Sequence, residues 1–240
     1  MKYICITLDQ DWCSSETLKY AIDFVVAKNL PVTVFVTDFN KEWISTDYIE
    51  YGVHPNFLAN STQGEGIEHI LSLAKKSVPN CRSWRSHSLY QSTRLTDIVS
   101  TLTDWDIELN NYLPEYTDLI VSQFPSSRVM NRLPTHWEDD LELRRSKEAI
   151  DFLRDLKSQS WISIFNFHPI HLAINSTSMS VYDNLKSKNK LEESPIFYEG
   201  YRKNVIGKGI LDQLMDLIEH INSDDAIKCI TISELVDIIK

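Results

Sequence analysis

The 240-residue chain has no run of 18 apolar residues, so nothing in it reads as a transmembrane helix. None of its four cysteines (Cys5, Cys13, Cys81 and Cys229) stands in a C-x-x-C pair, which removes a zinc knuckle and a thioredoxin-like motif. A basic surplus is missing as well. The formal net charge is -10, and an acid excess of that size repels phosphate backbones and argues against nucleic acid as a partner. The opening residues, Met1-Lys2-Tyr3-Ile4-Cys5-Ile6-Thr7-Leu8-Asp9, hold too short an apolar stretch for a signal peptide. They read as a β-strand, and the expectation is a cytoplasmic protein. With no internal repeat, low-complexity linker or composition break, residues 1–240 are expected to form one domain, and no pattern specifies an oligomer.

What is present is an alternation of strand and helix patterns. Tyr3 to Leu8 and Val32 to Val36 are short β-branched runs. Between them Leu18, Ile22, Val25 and Val26 fall on one helical face, with Ser14 or Ser15 as N-cap and Asn29-Leu30-Pro31 as the stop. Strand, helix, strand implies a right-handed parallel crossover. A brief strand at Tyr51 to His54 follows, then helices around Ile67–Ala74, Leu95–Leu102 and Lys147–Leu156, an apolar strand Trp161–Phe167, and an apolar stripe at Ile210, Leu214, Leu217, Ile218 and Ile221. Near the end a strand at Ile227 to Ile230 leads into Thr231-Ile232-Ser233-Glu234, a capping box, with Ile230 and Leu235 as its hydrophobic staple. Residues 104–140 show no clear period, and residues 174–205, rich in Ser, Asn, Lys and Tyr, read as a long loop.

Reactive side chains gather where strands end. Asp9 and Asp11 close the first strand; residues two apart in an extended chain share a side, and two such carboxylates repel unless a cation or a proton lies between them. A pair of solvated turn acids is the plain alternative. His54 follows a strand, a position suited to a zinc ligand, although a lone loop histidine is more often a surface residue. In Arg82-Ser83-Trp84-Arg85-Ser86-His87, Arg85 is placed to hold a carboxylate while His87 binds a metal, or else both lie in a polar loop. The strand Trp161–Phe167 runs directly into His168-Pro169-Ile170-His171, the placement of catalytic groups at the C-terminal rim of a parallel barrel. His136-Trp137-Glu138-Asp139-Asp140 offers three acids, any of which could orient a catalytic histidine and raise its pKa.

This order of motifs resembles the NodB-homology polysaccharide deacetylases (carbohydrate esterase family 4 type). Thr7-Leu8-Asp9-Gln10-Asp11 is similar to that family's first motif, Val32-Thr33-Val34-Phe35-Val36-Thr37 to its second strand, and Ile230-Thr231-Ile232-Ser233-Glu234-Leu235 to its C-terminal segment. Three segments resemble the WbmS-like subgroup found among O-antigen and surface-polysaccharide gene products: Gly52-Val53-His54-Pro55-Asn56-Phe57, Arg85-Ser86-His87-Ser88-Leu89-Tyr90-Gln91-Ser92 and Phe165-Asn166-Phe167-His168-Pro169-Ile170-His171. The resemblance implies a distorted (β/α) barrel with one divalent metal, usually zinc. It implies Asp9 as general base, Asp11 and His54 as metal ligands, Arg85 as the group holding Asp9, and His168 as general acid backed by Glu138, Asp139 or Asp140. The family's second motif has a further histidine four residues on, but Leu58 stands there, and His87 is inferred to supply the missing imidazole. Trp12, Trp137 and Tyr90 are candidates to stack on a sugar ring, with His171 beside them as a substrate-binding residue. The implied reaction is metal-dependent hydrolysis of the N-acetyl or N-formyl amide of a sugar, in an O-antigen or capsule precursor. Lys186, Lys188, Lys190 or Arg202, from the segment 174–205, would then meet a substrate phosphate.

Two other readings compete. Without a second motif histidine, the chain could be a non-catalytic carbohydrate-binding relic, although binding alone requires neither Asp9 nor His168. Asp-x-Asp after a first strand also opens haloacid-dehalogenase-type phosphatases. That class needs a late apolar strand ending in Gly-Asp or Asp-Asp, and the late strand here ends in His168.

Overall fold

The computed structural model describes residues 1–114, 122–123, 128–145 and 161–240. The expected helix at 147–156 lies outside the described residues. In chain order the strands are β1 (Lys2–Asp9), β2 (Val32–Val36), β3 (Ile49–Val53), β4 (Ser83–Trp84), β5 (Ile107–Tyr112), β6 (Ser122–Gln123), β7 (Asn131–Thr135), β8 (Trp137–Glu138), β9 (Ile162–Phe167) and β10 (Ile227–Cys229). The helices are α1 (Ser15–Val26), α2 (Gly66–Ser77), α3 (Thr93–Leu102), α4 (Asp139–Arg145), α5 (Pro169–Ile174), α6 (Met179–Ser187), α7 (Pro195–Lys203), α8 (Ile210–Ser223) and α9 (Ile232–Ile239).

Eight of the strands pair in parallel, in the order β7-β5-β4-β3-β2-β1-β9-β8. The two ends of that list are consecutive in sequence, and only His136 separates them. Its backbone N–H donates to Ile164 O at 2.9 Å, and its Nδ1 accepts from Ile164 N at 3.0 Å. Burial holds the imidazole neutral, with its pKa lowered to about 4. The sheet thus comes round to a nearly closed (β/α) barrel, the expected fold. β6 adds to β7 antiparallel, outside the barrel sequence.

Side-chain alternation along each strand sorts residues between the barrel interior and the helix layer. On β1, Ile4, Ile6 and Leu8 join Leu18, Ala21, Val34, Phe167 and Leu217 in the large cluster beneath the helices. Cys5, from the other face, packs with Phe35, Leu109, Leu133 and Ile164. Gly52 of β3 has no side chain because a Cβ there would lie 2.7 Å from both the Phe35 ring and Ser83 Oγ.

The N-terminal end of the barrel is sealed. β10 pairs with the start of β1, and the capping box at Thr231 starts α9, whose Ile232, Leu235 and Val236 pack into the interior cluster. Ile232 N donates to Thr33 Oγ1 at 3.0 Å, and Ser233 bonds the buried-side carboxylate of Glu50. Among the described residues, closing that end leaves the rim at the strand C-termini for chemistry.

The segment 174–205 is not the long loop its composition indicates. It holds α6 and α7, which fully bury few apolar side chains: Met179 and Leu185 from one, Tyr198 from the other, with Val181, Tyr182 and Tyr201 half-buried beside them. Ser178 and Ser194-Pro195 sit at the two helix starts, so the start signals were present but the apolar stripe was too thin to mark the helices.

Candidate active site at the barrel rim

Period-two alternation carries polar side chains up the inside of the barrel: Thr7 then Asp9 on β1, Asn166 on β9 then His168 just beyond it, and Ser83 on β4 then Arg85 just beyond it. Thr7, Asp9 and Asn166 meet around Arg85, which is fully buried. Its Nη1 donates to Asp9 Oδ1 at 2.8 Å, Asn166 Oδ1 at 2.7 Å and Thr7 Oγ1 at 3.1 Å, and its Nη2 donates to Thr135 Oγ1 at 3.1 Å. The guanidinium also lies 4.5 Å from the centre of the Phe35 ring. Asn166 Nδ2 donates to the second Asp9 oxygen at 2.9 Å. Burial alone would push the Asp9 carboxyl up. The cationic Arg85, then His54 and His168, outweigh burial and hold it below its ordinary range.

β1 ends at Asp9, and the chain turns before Asp11. Gln10 pins the turn: its N–H donates to Phe35 O at 2.9 Å and its Oε1 accepts from Thr37 N at 2.9 Å. Asp11 has φ 46, a left-handed conformation that costs a non-glycine residue about 1 kcal/mol or more. Asp9 and Asp11 therefore do face one site, but through this turn and not through strand alternation.

His54 emerges from β3 and His87 from a 3-10 turn after β4. His54 N donates to Val36 O at 2.8 Å, and His87 N donates to Pro55 O at 2.9 Å, so the two loops are tied together. Ser88 and Leu89 take φ values of 58 and 50, and the turn they make sets the direction of His87. Both imidazoles point at the same oxygen: Asp11 Oδ1 is 3.2 Å from His54 Nε2 and 3.1 Å from His87 Nδ1. The three ligand atoms all lie within 4.8 Å of one another. One carboxylate and two imidazoles, two of them on tightly held loops, fit a zinc-like divalent cation with a coordination position left open. Burial would raise the Asp11 carboxyl, but hydrogen bonds from His54 and His87 hold it well below its usual value.

Opposite stands His168. Asp139, the first residue of α4, takes both its backbone N–H (2.8 Å) and its ring Nδ1 (2.6 Å). Burial would lower this imidazole's pKa; Asp139, with Asp140 and Asp11, raises it well above the ordinary value. Its Nε2 is left facing the cavity, 3.7 Å from Asp11 Oδ2. Of the three candidate orienting acids the structure selects Asp139. Glu138 and Asp140 line the cavity instead, and burial together with Asp140 pushes the Glu138 carboxyl well up.

The remaining candidates separate clearly. Trp12 is exposed and meets His87 edge to face, with ring centres 4.7 Å apart. Trp137 is a core residue, packed on Phe165 and Phe167 and only 6% exposed, so it is not available for stacking. His171 is buried behind His168, with its Nδ1 2.8 Å from Ser176 Oγ. A cavity of about 350 Å³ spans Asp9, Asp11, His54, His87, Glu138 and His168. A second, of about 220 Å³, adjoins it between Trp12, His171, Tyr182 and Lys186. Lys190 is instead paired with Glu193, Arg202 donates to Ala173 O at 2.6 Å, and Lys188, the C-cap of α6, lines neither cavity. Thr7, Thr135 and Asn166 were not singled out from sequence, yet Thr7 and Asn166 stand two residues before Asp9 and His168, which is the signal that finds them.

Comparison with known proteins gives the family and the fold. A family model described as WbmS-like polysaccharide deacetylase matches residues 6–186. The crystal structure of a Bordetella bronchiseptica protein, assigned as a polysaccharide deacetylase involved in O-antigen biosynthesis, superposes with a TM-score of 0.71 at 26% identity, covering 90% of each chain. No curated protein matches.

Proposed function

The chain belongs to the WbmS-like polysaccharide deacetylases, and from that premise we propose that it hydrolyses the N-acyl amide of a sugar with a divalent cation held by Asp11, His54 and His87. The observation that carries the proposal is the facing pair across the cavity: a carboxylate kept ionised by Arg85, and an imidazole kept protonated by Asp139.

A cation held by those three donors would polarise the acyl oxygen and acidify a water. Asp9 takes the proton that water loses as it adds to the acyl carbon; Arg85 and Asn166 fix both carboxylate oxygens for that task. His168 gives a proton from Nε2 to the sugar nitrogen as the C–N bond breaks, leaving a carboxylic acid and a free amine. Asp139 holds the tautomer with Nδ1–H toward itself and stabilises the imidazolium. The non-catalytic reading expected too few ligands, and the proximity of His87 to Asp11 and His54 supports the enzyme instead.

The substrate in this reading is an O-antigen or capsule precursor carrying an acetyl or formyl amide, handled in the cytoplasm. Trp12 is placed to stack on a ring at the cavity mouth, and Lys186 is the member of the four proposed phosphate-binding cations that reaches a cavity wall. The test is acetate or formate release from a nucleotide-linked N-acyl sugar, the corresponding free sugar and a chito-oligomer. Preference for the nucleotide-linked sugar is expected. Preference for the polymer would remove the precursor assignment, and no release from any amide would remove the activity.

A further inference from the structure

We propose that Glu138, Asp140 and His168 form a second divalent-cation site beside the first, and that filling it takes the general acid out of action. The inhibitory consequence rests on the deacetylase reading; the site itself rests on geometry alone. Glu138 ends β8 and is 6% exposed, yet its Oε2 is buried without a hydrogen-bond partner among the described residues. Asp140 Oδ1, two residues on, is likewise buried and unpartnered. One oxygen from each, together with a ring nitrogen of His168, lie within 4.8 Å of one another. Two carboxyl groups this close require a proton or a cation between them.

Three features favour a cation. Arg144, the neighbouring base, approaches the other oxygen of Asp140 at 3.8 Å and leaves the buried Oδ1 unpaired. His168 is already set as metal-binding histidines are set, with Nδ1 bonded to a carboxylate and Nε2 free. The cavity also carries more carboxyl groups (Asp9, Asp11, Glu138 and Asp140, with Asp139 behind them) than bases (Arg85, Arg144 and the His168 imidazole). A concave site with that balance concentrates dications. The two donor sets share no residue, but they adjoin, since His168 Nε2 is 3.7 Å from Asp11 Oδ2. An ion on Nε2 occupies the nitrogen that carries the proton to the departing amine, so catalysis stops while the first site stays filled.

Calorimetric titration of zinc ion into the chelator-treated full chain tests this. Two binding steps are expected. Glu138→Gln/Asp140→Asn should lose the second and keep the first, whose survival shows that the variant is folded; Glu138→Gln alone, nearly isosteric, should weaken the second step. Asp11→Asn should lose the first step and keep the second, which separates failure of this inference from failure of the deacetylase reading. With an active substrate, wild-type activity should rise and then fall with zinc, and the fall should vanish in the double variant. A single step in the wild type means that a proton alone bridges the carboxyls, and it overturns the proposal. So does a second step that persists in the double variant.

Discussion

Replacing Arg85 by methionine tests the core of the site most sharply, because it keeps the bulk and removes the charge. Arg85 is fully buried and makes four side-chain hydrogen bonds, one of them a 2.8 Å charge-assisted bond to Asp9, which is itself 2% exposed. Deleting one partner of a buried ion pair leaves the other uncompensated, at a cost of about 3–5 kcal/mol. For a domain of this size each kcal/mol moves Tm by roughly 2–4 °C, so a fall of ~6–20 °C is expected. Asp9→Asn in the same background removes the stranded charge, and the double variant should recover part of that loss. The pH dependence has a definite sign. Asp9 is depressed in the native protein, so its contribution is present above the unfolded carboxylate pKa and is lost as pH falls through the lower folded value. The gap between wild type and Arg85→Met should therefore narrow in acid. Urea denaturation of the chelated protein at neutral and acidic pH, for all four members of the cycle, measures it. A loss under about 1 kcal/mol, with no recovery in the double variant, would refute the account of Asp9 as a charge that Arg85 holds in place.

Other outcomes follow from the same geometry. Asp139→Asn removes the carboxylate that, against burial, raises the His168 pKa; because the general acid must be protonated, the alkaline limb of the kcat/KM profile should move to lower pH. An unmoved limb would separate His168 from proton donation. Gly52→Ala places a Cβ 2.7 Å from the Phe35 ring beneath Arg85, and thermal melts should show destabilisation of about 1–3 kcal/mol. A neutral result would mean that Phe35 has room to shift. His87→Ala should weaken zinc binding at the Asp11 and His54 site far more than it lowers Tm of the metal-free protein, since the partly exposed His87–Asp11 contact it removes is worth only about 1 kcal/mol or less.

Much of the barrel was legible because its strands and helices carry strong local signals. Val32 to Val36 is a run of β-branched and aromatic residues, Ser14 caps α1 by accepting from Thr17 N, and Thr231 and Glu234 cap α9 reciprocally. The site was legible in its residue types but less so in its causes. Asp9 and Asp11 converge through a left-handed turn that no periodicity announces. Which of Glu138, Asp139 and Asp140 backs His168 depends on the junction of β8 and α4, where successive side chains swing to different sides. Trp137 resembles a sugar platform only until the strand face it occupies is known. In the segment 174–205, helices that fully bury only one or two apolar side chains each look like loop because tertiary contact, not pattern, stabilises them.

The central claim is that Asp9 acts on water while Asp11, His54 and His87 hold the ion. Asp9→Asn separates the two roles in one measurement: zinc content and acyl release, determined on the same preparation. The account predicts that the variant keeps its ion at the Asp11 site and loses about 10²–10⁴-fold in rate, the range for removing a general base. A variant that keeps wild-type release with its ion in place would contradict it.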